Sequence, residues 1–415
     1  MYTRLVVLAT ITLASSSSDL VSAQHLTRSA AKQIALENNP KVASAKAEWE
    51  VARARRLVAI SLENPELEFE YEELPGIFDT GKFGERTIGI TQKIKSPFKW
   101  WFQQRASAHE AEALRYTALE ATRLDIATLV EINFDRVLAD KKILGAAEEN
   151  LRLAKDFAKK TLVRFDAGDV AKLEVMSARV QEALAKNDYA EAESQLASSK
   201  AALRALLGQD GSASIEIEGE FTLDPVSDSL MDLKERARSR RPDLKGAQLQ
   251  FLSAKSSMSG TVASLVPDLN LGISRQTVGA PGSRTSYWRT SFGFEIPMWA
   301  LFRQRGEVNA AAAEVRKAEA TREALRRTAS LDVEVSYSAL STARKRVEAF
   351  EGGVLELAKA VYEVASESYR QGKASYLEVL GAQKTLTETK IAYFESIYKY
   401  RRARAEMARA TGGSL

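Results

Sequence analysis

Hydrophobic positions along the chain recur with two different periods. In two long stretches an apolar residue returns at every seventh position: Val130, Val137, Leu144, Leu151, Ala158 and Phe165, then Val333, Leu340, Val347, Val354 and Val361. A strict seven-residue repeat keeps one stripe turned toward a neighbouring helix and makes helices coil around each other along their length. At about 1.5 Å per residue, helices over positions 97–165 and 297–369 would each be roughly 100 Å long. Four short segments alternate with period two instead. Residues 66–74 set Leu67, Phe69 and Tyr71 against Glu66, Glu68, Glu70 and Glu72; residues 87–94 set Ile88, Ile90 and Ile94 on one face. Residues 268–274 set Leu269, Leu271 and Ile273 against Asp268, Asn270 and Ser274, and residues 288–296 set Trp288, Phe292, Phe294 and Ile296 against Arg289, Ser291 and Glu295. Each has one apolar and one wet face, at close to the roughly 9 to 11 residues that cross a bilayer as a tilted strand.

These elements fall in the same order twice. Pro40 and Pro65 find counterparts 202 positions later in Pro242 and Pro267, Pro97 finds Pro297 at 200, and Gly168 finds Gly372 at 204. Leu173-Glu174-Val175 returns as Leu377-Glu378-Val379, and Gly208 as Gly412. The pattern predicts an internal duplication, with a first unit over 24–208 (hairpin about 66–94, long helical hairpin 97–208) and a second over 229–412 (hairpin about 267–296, long helical hairpin 297–412). Each unit opens with a short helix, 26–38 or 229–240, that stops at the residue before a proline because that residue is pushed out of the helical region. A second helix runs on to position 64 or 266. Residues 209–228, with Gly, Ser and Pro225, form the linker between units.

Four strands do not close a barrel, and an open sheet edge is not tolerated in hydrocarbon. Two copies would give about eight strands and a filled interior, whereas three would give about twelve and a pore. The expected fold is therefore mostly α with a small β part: a homotrimer with a 12-stranded transmembrane barrel continued by a long helical barrel. The stripe alone would suit a second architecture, a periplasmic coiled-coil scaffold, and the strand segments in each half turn the reading toward the membrane. Phe98, Trp100, Trp101 and Phe102, with Trp299 and Phe302, sit just past the strands, either as an interfacial aromatic belt or packed where helix meets sheet.

Residues 1–23 read as a removable signal peptide, with Arg4, an apolar stretch over 5–14 and Val21-Ser22-Ala23 before Gln24, and nothing like a stop-transfer segment behind it. With no cysteine, disulfides and a cysteine-linked lipid anchor are excluded. Two histidines, His25 and His109, leave little ligand chemistry for zinc or copper, so no metal site and no cofactor are expected. The 59 basic and 55 acidic residues are interspersed, which gives no nucleic-acid signature. An enzyme fits poorly, because the chain has no phosphate-cradling glycine loop, nucleophile elbow or metal-ligand cluster.

Asn64-Pro65 opening the first hairpin, Phe294-Glu-Ile-Pro297-Met-Trp closing the second, and above all the segment from Gly372 to Gln383 (GKASYLEVLGAQ), echoed from Gly168 to Arg179, carry a family resemblance. Over essentially its whole mature length the chain resembles TolC-like outer-membrane factors. The resemblance implies a Gram-negative outer-membrane homotrimer reaching into the periplasm. It also implies a periplasmic adaptor (membrane fusion) protein and an inner-membrane pump, of RND type, as partners, with outer-membrane lipid around the barrel. In the family, the segment matching 377–382 can carry two acids ringing a periplasmic constriction; here Glu378 holds the first place and Gly381 the second, so only one acid is present. Glu174 is its counterpart in the first unit. Both are candidate gate residues or simply exposed charges, and Gly168 and Gly372 are candidate adaptor-docking tips or simply helix ends. Glu66, Glu68, Glu70 and Glu72 are candidate lumen acids, twelve in a trimer, whose field would attract cations. That ladder and the 296–303 segment resemble heavy-metal efflux channels of the Czc and Cus type. A type I protein-secretion channel would carry the same features.

Overall fold

The computed structural model describes residues 25–209, 215–224, 226–279, 282–296 and 300–413. The expected signal peptide, part of the linker and the Pro297-Met-Trp step lie outside them. The chain opens on a two-residue strand, β1 (His25–Leu26), followed by helices α1 (Arg28–Asn38) and α2 (Pro40–Ile60). Strands β2 (Glu66–Glu72) and β3 (Glu85–Ile94) form the first hairpin, after which α3 (Pro97–Leu114), α4 (Ala121–Asp166) and α5 (Lys172–Leu207) run out and back. The second half has β4 (Glu216–Ile217), α6 (Leu230–Arg240), α7 (Pro242–Ala263), β5 (Asp268–Val278), β6 (Thr285–Glu295), α8 (Arg305–Ala349), α9 (Leu355–Arg370) and α10 (Tyr376–Ala410). The protein is thus mostly helical with a small sheet.

The bend before each proline has the expected cause. Asn39 is extended (ψ 126°) and its side chain caps α2 by accepting from Lys41 N–H at 2.9 Å. Its amide also donates to Leu206 C=O at 2.8 Å. Arg241, extended at ψ 125°, likewise donates to Ala410 C=O at 3.4 Å. The returning helices dock so closely on these bends that a Cβ on Gly208 would stand 2.7 Å from Asn38 O, and one on Gly412 would stand 2.7 Å from Arg241 N. Both glycines are left-handed, at φ +67° and +87°.

Two belts of buried side chains hold the middle of the molecule. In the first, Val130, Phe134 and Val137 of α4 pack with Leu203 and Leu207 of α5, Ala31 and Ala35 of α1, and Ile217 of β4. In the second, Val333, Leu340 and Val347 of α8 pack with Ile397, Tyr400 and Met407 of α10 and Leu233 of α6. Parallel pairing of β1 with β4 draws the start of the chain against the linker. A buried ion network joins the belts: Arg401, 4% exposed, reaches Asp135, also 4% exposed, at 3.4 Å and donates through Nε to Thr222 C=O at 3.0 Å. Arg28 of α1 pairs with the same carboxylate. Burial pushes the Asp135 carboxyl above its ordinary range, against the pull of the two guanidiniums.

The long helices depart from the uninterrupted rods expected over 97–165 and 297–369. The first contains a π-helical segment at Arg115–Glu120, and the second has π segments at Ala300–Gln304 and Phe350–Val354. Within the last, Gly353 leaves the helix at φ +127°, a conformation that glycine accepts readily. The break shifts the phase of the stripe. Val333, Leu340 and Val347 are buried, but Val354 and Val361 beyond it are each 48% exposed, and Ala358 turns inward in their place. Helices α2 and α7 stop at Ile60 and Ala263, a few residues short of positions 64 and 266, and strands β5 and β6 run to 11 residues each.

Candidate functional site

The sheet has the order β2-β3-β5-β6 with every neighbour antiparallel, so β2 and β6 are unpaired edges. Directly opposed residues share a face, which makes the register a map of the sheet. Glu66, Glu68, Glu70 and Glu72 stand opposite Thr91, Gly89, Thr87 and Glu85. These continue into Gly272, Ser274, Gln276 and Val278, and the first three of those into Ser291, Arg289 and Tyr287. Lys93, Asn270, Asp268 and Glu295 complete that polar face. The other face runs from Leu67 and Phe69 through Ile90 and Ile88 to Leu269, Leu271 and Ile273, then to Phe294, Phe292 and Trp288. Phe292 and Trp288 are each 70% exposed, and so contiguous an apolar surface marks a face built to meet something other than water. The ladder of four glutamates therefore lies on one wall, as the alternation predicted, and the wall carries seven carboxylates against two cations, Lys93 and Arg289.

The base of the sheet is fastened to the helices. Asp268 accepts from Ser96 N–H and from Lys99 Nζ, both at 2.9 Å, and Lys93 meets Glu295 at 2.6 Å. Of the aromatics at this junction, Trp100 donates its indole N–H to Ile60 C=O at 3.2 Å, a packing role. Phe98, Trp101 and Phe302 remain exposed, as an interfacial belt requires, and Trp299 lies outside the described residues.

At the far end of the long helices both glycine tips have the same backbone. Gly168 (φ +86°) donates to Phe165 C=O and Asp169 to Arg164 C=O, each at 2.9 Å; Gly372 (φ +71°) donates to Tyr369 C=O at 3.0 Å and Lys373 to Ser368 C=O at 2.8 Å. These paired bonds are the left-handed helix stop that glycine favours. The two candidate gate acids differ, however. Glu378 is exposed and closes a capping box: its carboxylate accepts from Ser375 N–H at 2.7 Å while Ser375 Oγ accepts from Glu378 N–H at 3.4 Å. Glu174, in the first turn of α5, accepts from the Tyr369 hydroxyl at 3.4 Å, which ties it to the other hairpin. Phe157 stacks on Tyr369 and Tyr376 at 5.4 and 4.9 Å, and Arg164 lies 5.0 Å over Tyr369. Burial raises both tyrosine hydroxyls above their ordinary range. The alternating pattern of hydrophobic residues gave no sign of this aromatic latch, although the tyrosines and phenylalanine are plain in the sequence. A Cβ at Gly381 would meet nothing within 4 Å, so the place where relatives can carry a second acid is open space. Higher up, Asn150 accepts from Gln383 at 2.8 Å, and Glu149 pairs with Lys390 at 2.5 Å.

Among the described residues no group of three or more His, Cys, Asp or Glu side chains could hold a metal ion, and no helix is long and apolar enough to cross a membrane. The elements that can meet a bilayer are the two-faced strands. A sheet with one wet and one apolar face, open at both edges and standing on long antiparallel helices, defines a channel-forming subunit of the outer membrane. Residues 31–209 and 233–413 each match the model of the outer membrane efflux protein family, and the chain belongs to that family. It is an outer-membrane efflux protein that extends into the periplasm.

The chain is 27% identical over 374 residues to CzcC, the cobalt-zinc-cadmium resistance protein of Cupriavidus metallidurans, covering 89% of this chain and 85% of that protein. It is 25% identical over 411 residues to the cation efflux system protein CusC of Escherichia coli O157:H7, covering 91% and 84%. It is also 24% identical to the pyoverdine export protein OpmQ of Pseudomonas putida, over 85% of this chain and 79% of that one. In fold it is similar to the solved structures of CusC (TM-score 0.78, 19% identity, 93% and 92% covered) and of the outer-membrane channel OprN (0.76, 17%, 93% and 90%).

Proposed function

We propose that three copies of this chain share one 12-stranded barrel and one helical tunnel, and that the tunnel is the exit duct for divalent metal cations delivered by an inner-membrane pump of RND type through a periplasmic adaptor. The observation that carries this reading is the register of the open-edged sheet, which gathers the glutamates on one wall and the bilayer-compatible side chains on the other. Antiparallel pairing of β6 with β2 of the next copy would remove both edges. The wet wall then becomes the lumen, its carboxylates raise the local concentration of cations, and conduction needs no covalent chemistry, which argues against an enzyme. The two halves, which share their glycine stops and proline bends, are read as one unit duplicated. The tips at Gly168 and Gly372 are the adaptor-docking ends, and Glu174 and Glu378 face the periplasmic constriction.

CzcC and CusC are named for metal-ion resistance and cation efflux, which agrees with an acidic lumen, whereas a protein-secretion duct has no comparable need for it. A soluble scaffold would have to leave Trp288, Phe292, Phe294, Leu67 and Phe69 in water. The deciding experiment expresses the full-length chain in a Gram-negative host, extracts it from the outer membrane and measures particle mass and cation-to-anion permeability in planar bilayers. A cation-selective trimer is expected. A soluble monomer, or an anion-selective pore, refutes the reading.

A further inference from the structure

The apolar face of the sheet ends in arginine. The strands enter and leave the helical part at their other end, so the turns between β2 and β3 and between β5 and β6 mark the outer end of the sheet. There, on the same face as Leu67 and Phe69, the rows change to Tyr71 opposite Arg86 and Arg86 opposite Thr277, and one row deeper Ile88 stands opposite Arg275 and Arg275 opposite Trp288. Phe83 folds onto this corner, 3% exposed, with the guanidinium of Arg284 3.8 Å and that of Arg86 4.9 Å from its ring centroid and Tyr71 edge-on at 5.9 Å. Arg284 is further fixed by donating to Gly81 C=O at 2.9 Å and Phe83 C=O at 3.3 Å. Of the nearby carboxylates, Glu72 and Glu85 lie on the opposite face and Glu73 rests against Gly84, and among the described residues none of the three arginines enters an ion pair.

A guanidinium on the bilayer side of a barrel is costly, and the cost grows with depth. Arg275 lies about 7 Å deeper than Arg86 at about 3.4 Å per residue, between Ile88 and Trp288, where a compensating anion would offset that cost. Planar guanidiniums held by an aromatic ring suit phosphate, which accepts their bonds in pairs. We propose that Arg86, Arg275 and Arg284 form a docking site for a phosphorylated lipid headgroup of the outer leaflet, so that the barrel is anchored by specific lipid as well as by its apolar wall. This rests on the barrel reading above, since the arginines reach lipid only if this face is the outer one.

The test titrates the intact, detergent-extracted trimer with bis-phosphorylated lipid A and with the same lipid stripped of both phosphates, read by native mass spectrometry. The phosphorylated form should bind about tenfold more tightly, as expected for charge-assisted pairs. R86Q and R275Q should each remove most of that preference, while R275K, which keeps the charge but not the paired bonds, should retain only part of it. Equal binding of the two lipids by the unmodified protein overturns the proposal without any variant. Displacement of the lipid by millimolar inorganic phosphate overturns it as well, because the site would then hold free anion rather than lipid. A preparation that inserts and conducts as a trimer yet shows no phosphate preference refutes the lipid site alone, whereas failure to insert refutes the functional reading beneath it.

Discussion

Glu378 has two possible duties that a pair of substitutions separates. In the structure its carboxylate completes a capping box with Ser375, and in the proposed trimer three such carboxylates ring the periplasmic entrance. Glutamine keeps an acceptor for Ser375 N–H and removes the charge; alanine removes both. Losing an N-terminal cap costs about 1 kcal/mol per helix, so E378A should destabilise α10 by about that much and E378Q by a few tenths. For the charge, three carboxylates at about 10 Å from the axis in water attract a monovalent cation by about 1.2 kcal/mol before screening. Screening leaves enough for roughly fourfold enrichment at 0.01 M salt and twofold at 0.1 M. Reversal potentials of the reconstituted channel under a salt gradient read this directly. Both variants should weaken the cation preference, most visibly in dilute salt, while E378A lowers the unfolding temperature clearly more than E378Q does. Unchanged permeability ratios at 0.01 M salt in both variants, with the alanine variant the more destabilised, would mean that Glu378 is a helix cap and no gate.

Asp135→Ala should cost about 3–5 kcal/mol, because it strips the buried Arg401 of its closest anion, and thermal unfolding of the purified protein reports it. The pH dependence has a definite sign: burial raises the folded-state pKa of Asp135, so its contribution to stability falls as pH rises from its unfolded value of about 3.9 toward the folded one. Denaturation curves across that range should therefore move against the wild type relative to D135N. Gly208→Ala should be more damaging than Gly168→Ala, since both carry positive φ but only Gly208 lies against another backbone segment. The exposed tip should lose about 1 kcal/mol and the docked position clearly more, compared again by unfolding. Replacing Glu66, Glu68, Glu70 and Glu72 together with glutamine should leave the proposed trimer assembled but reduce its cation selectivity in bilayers, and an unaltered reversal potential would remove the ladder from the conduction path.

The four strands were legible in the sequence because period-two alternation is a strong local signal, and the register only had to align faces already sorted. The bends at Asn39 and Arg241 were legible for the same reason, as proline acts on its immediate predecessor. What escaped was set by distant partners or by local phase. The break at Gly353 was hidden because the seven-residue stripe continues through Val354 and Val361 in the sequence while the backbone rotates beneath it. The link between Tyr369 and Glu174 joins residues 195 apart, and no periodicity reports such a pair. The capping box at Ser375 was within reach, since serine followed three residues later by glutamate is its signature.

The distribution of buried side chains along the helices bears on where the proposed duct would open. The middle of the molecule is held by two large clusters that need no neighbour, around Phe134 and Tyr400. Toward the tips the clusters shrink to Leu151, Ala154 and Ala185, and then to Ala158, Ala178 and Tyr376. Over the same stretch apolar stripes are left uncovered, Leu173, Met176, Val180 and Leu184 on α5, and Val354 with Leu357, Val361 and Val364 of the following α9. Such stripes at coiled-coil spacing call for partner helices, and neighbouring subunits are the ones available in a trimer. The lower tunnel would then be held mainly by contacts between subunits and by the few links of the Tyr369 latch. Parts with few internal contacts open at lower free energy than the core, so in the proposed trimer the tips would separate at lower cost than the belt or the sheet would unfold. The kink at Gly353 falls between these two regimes, where a swing of α9 would disturb neither buried cluster.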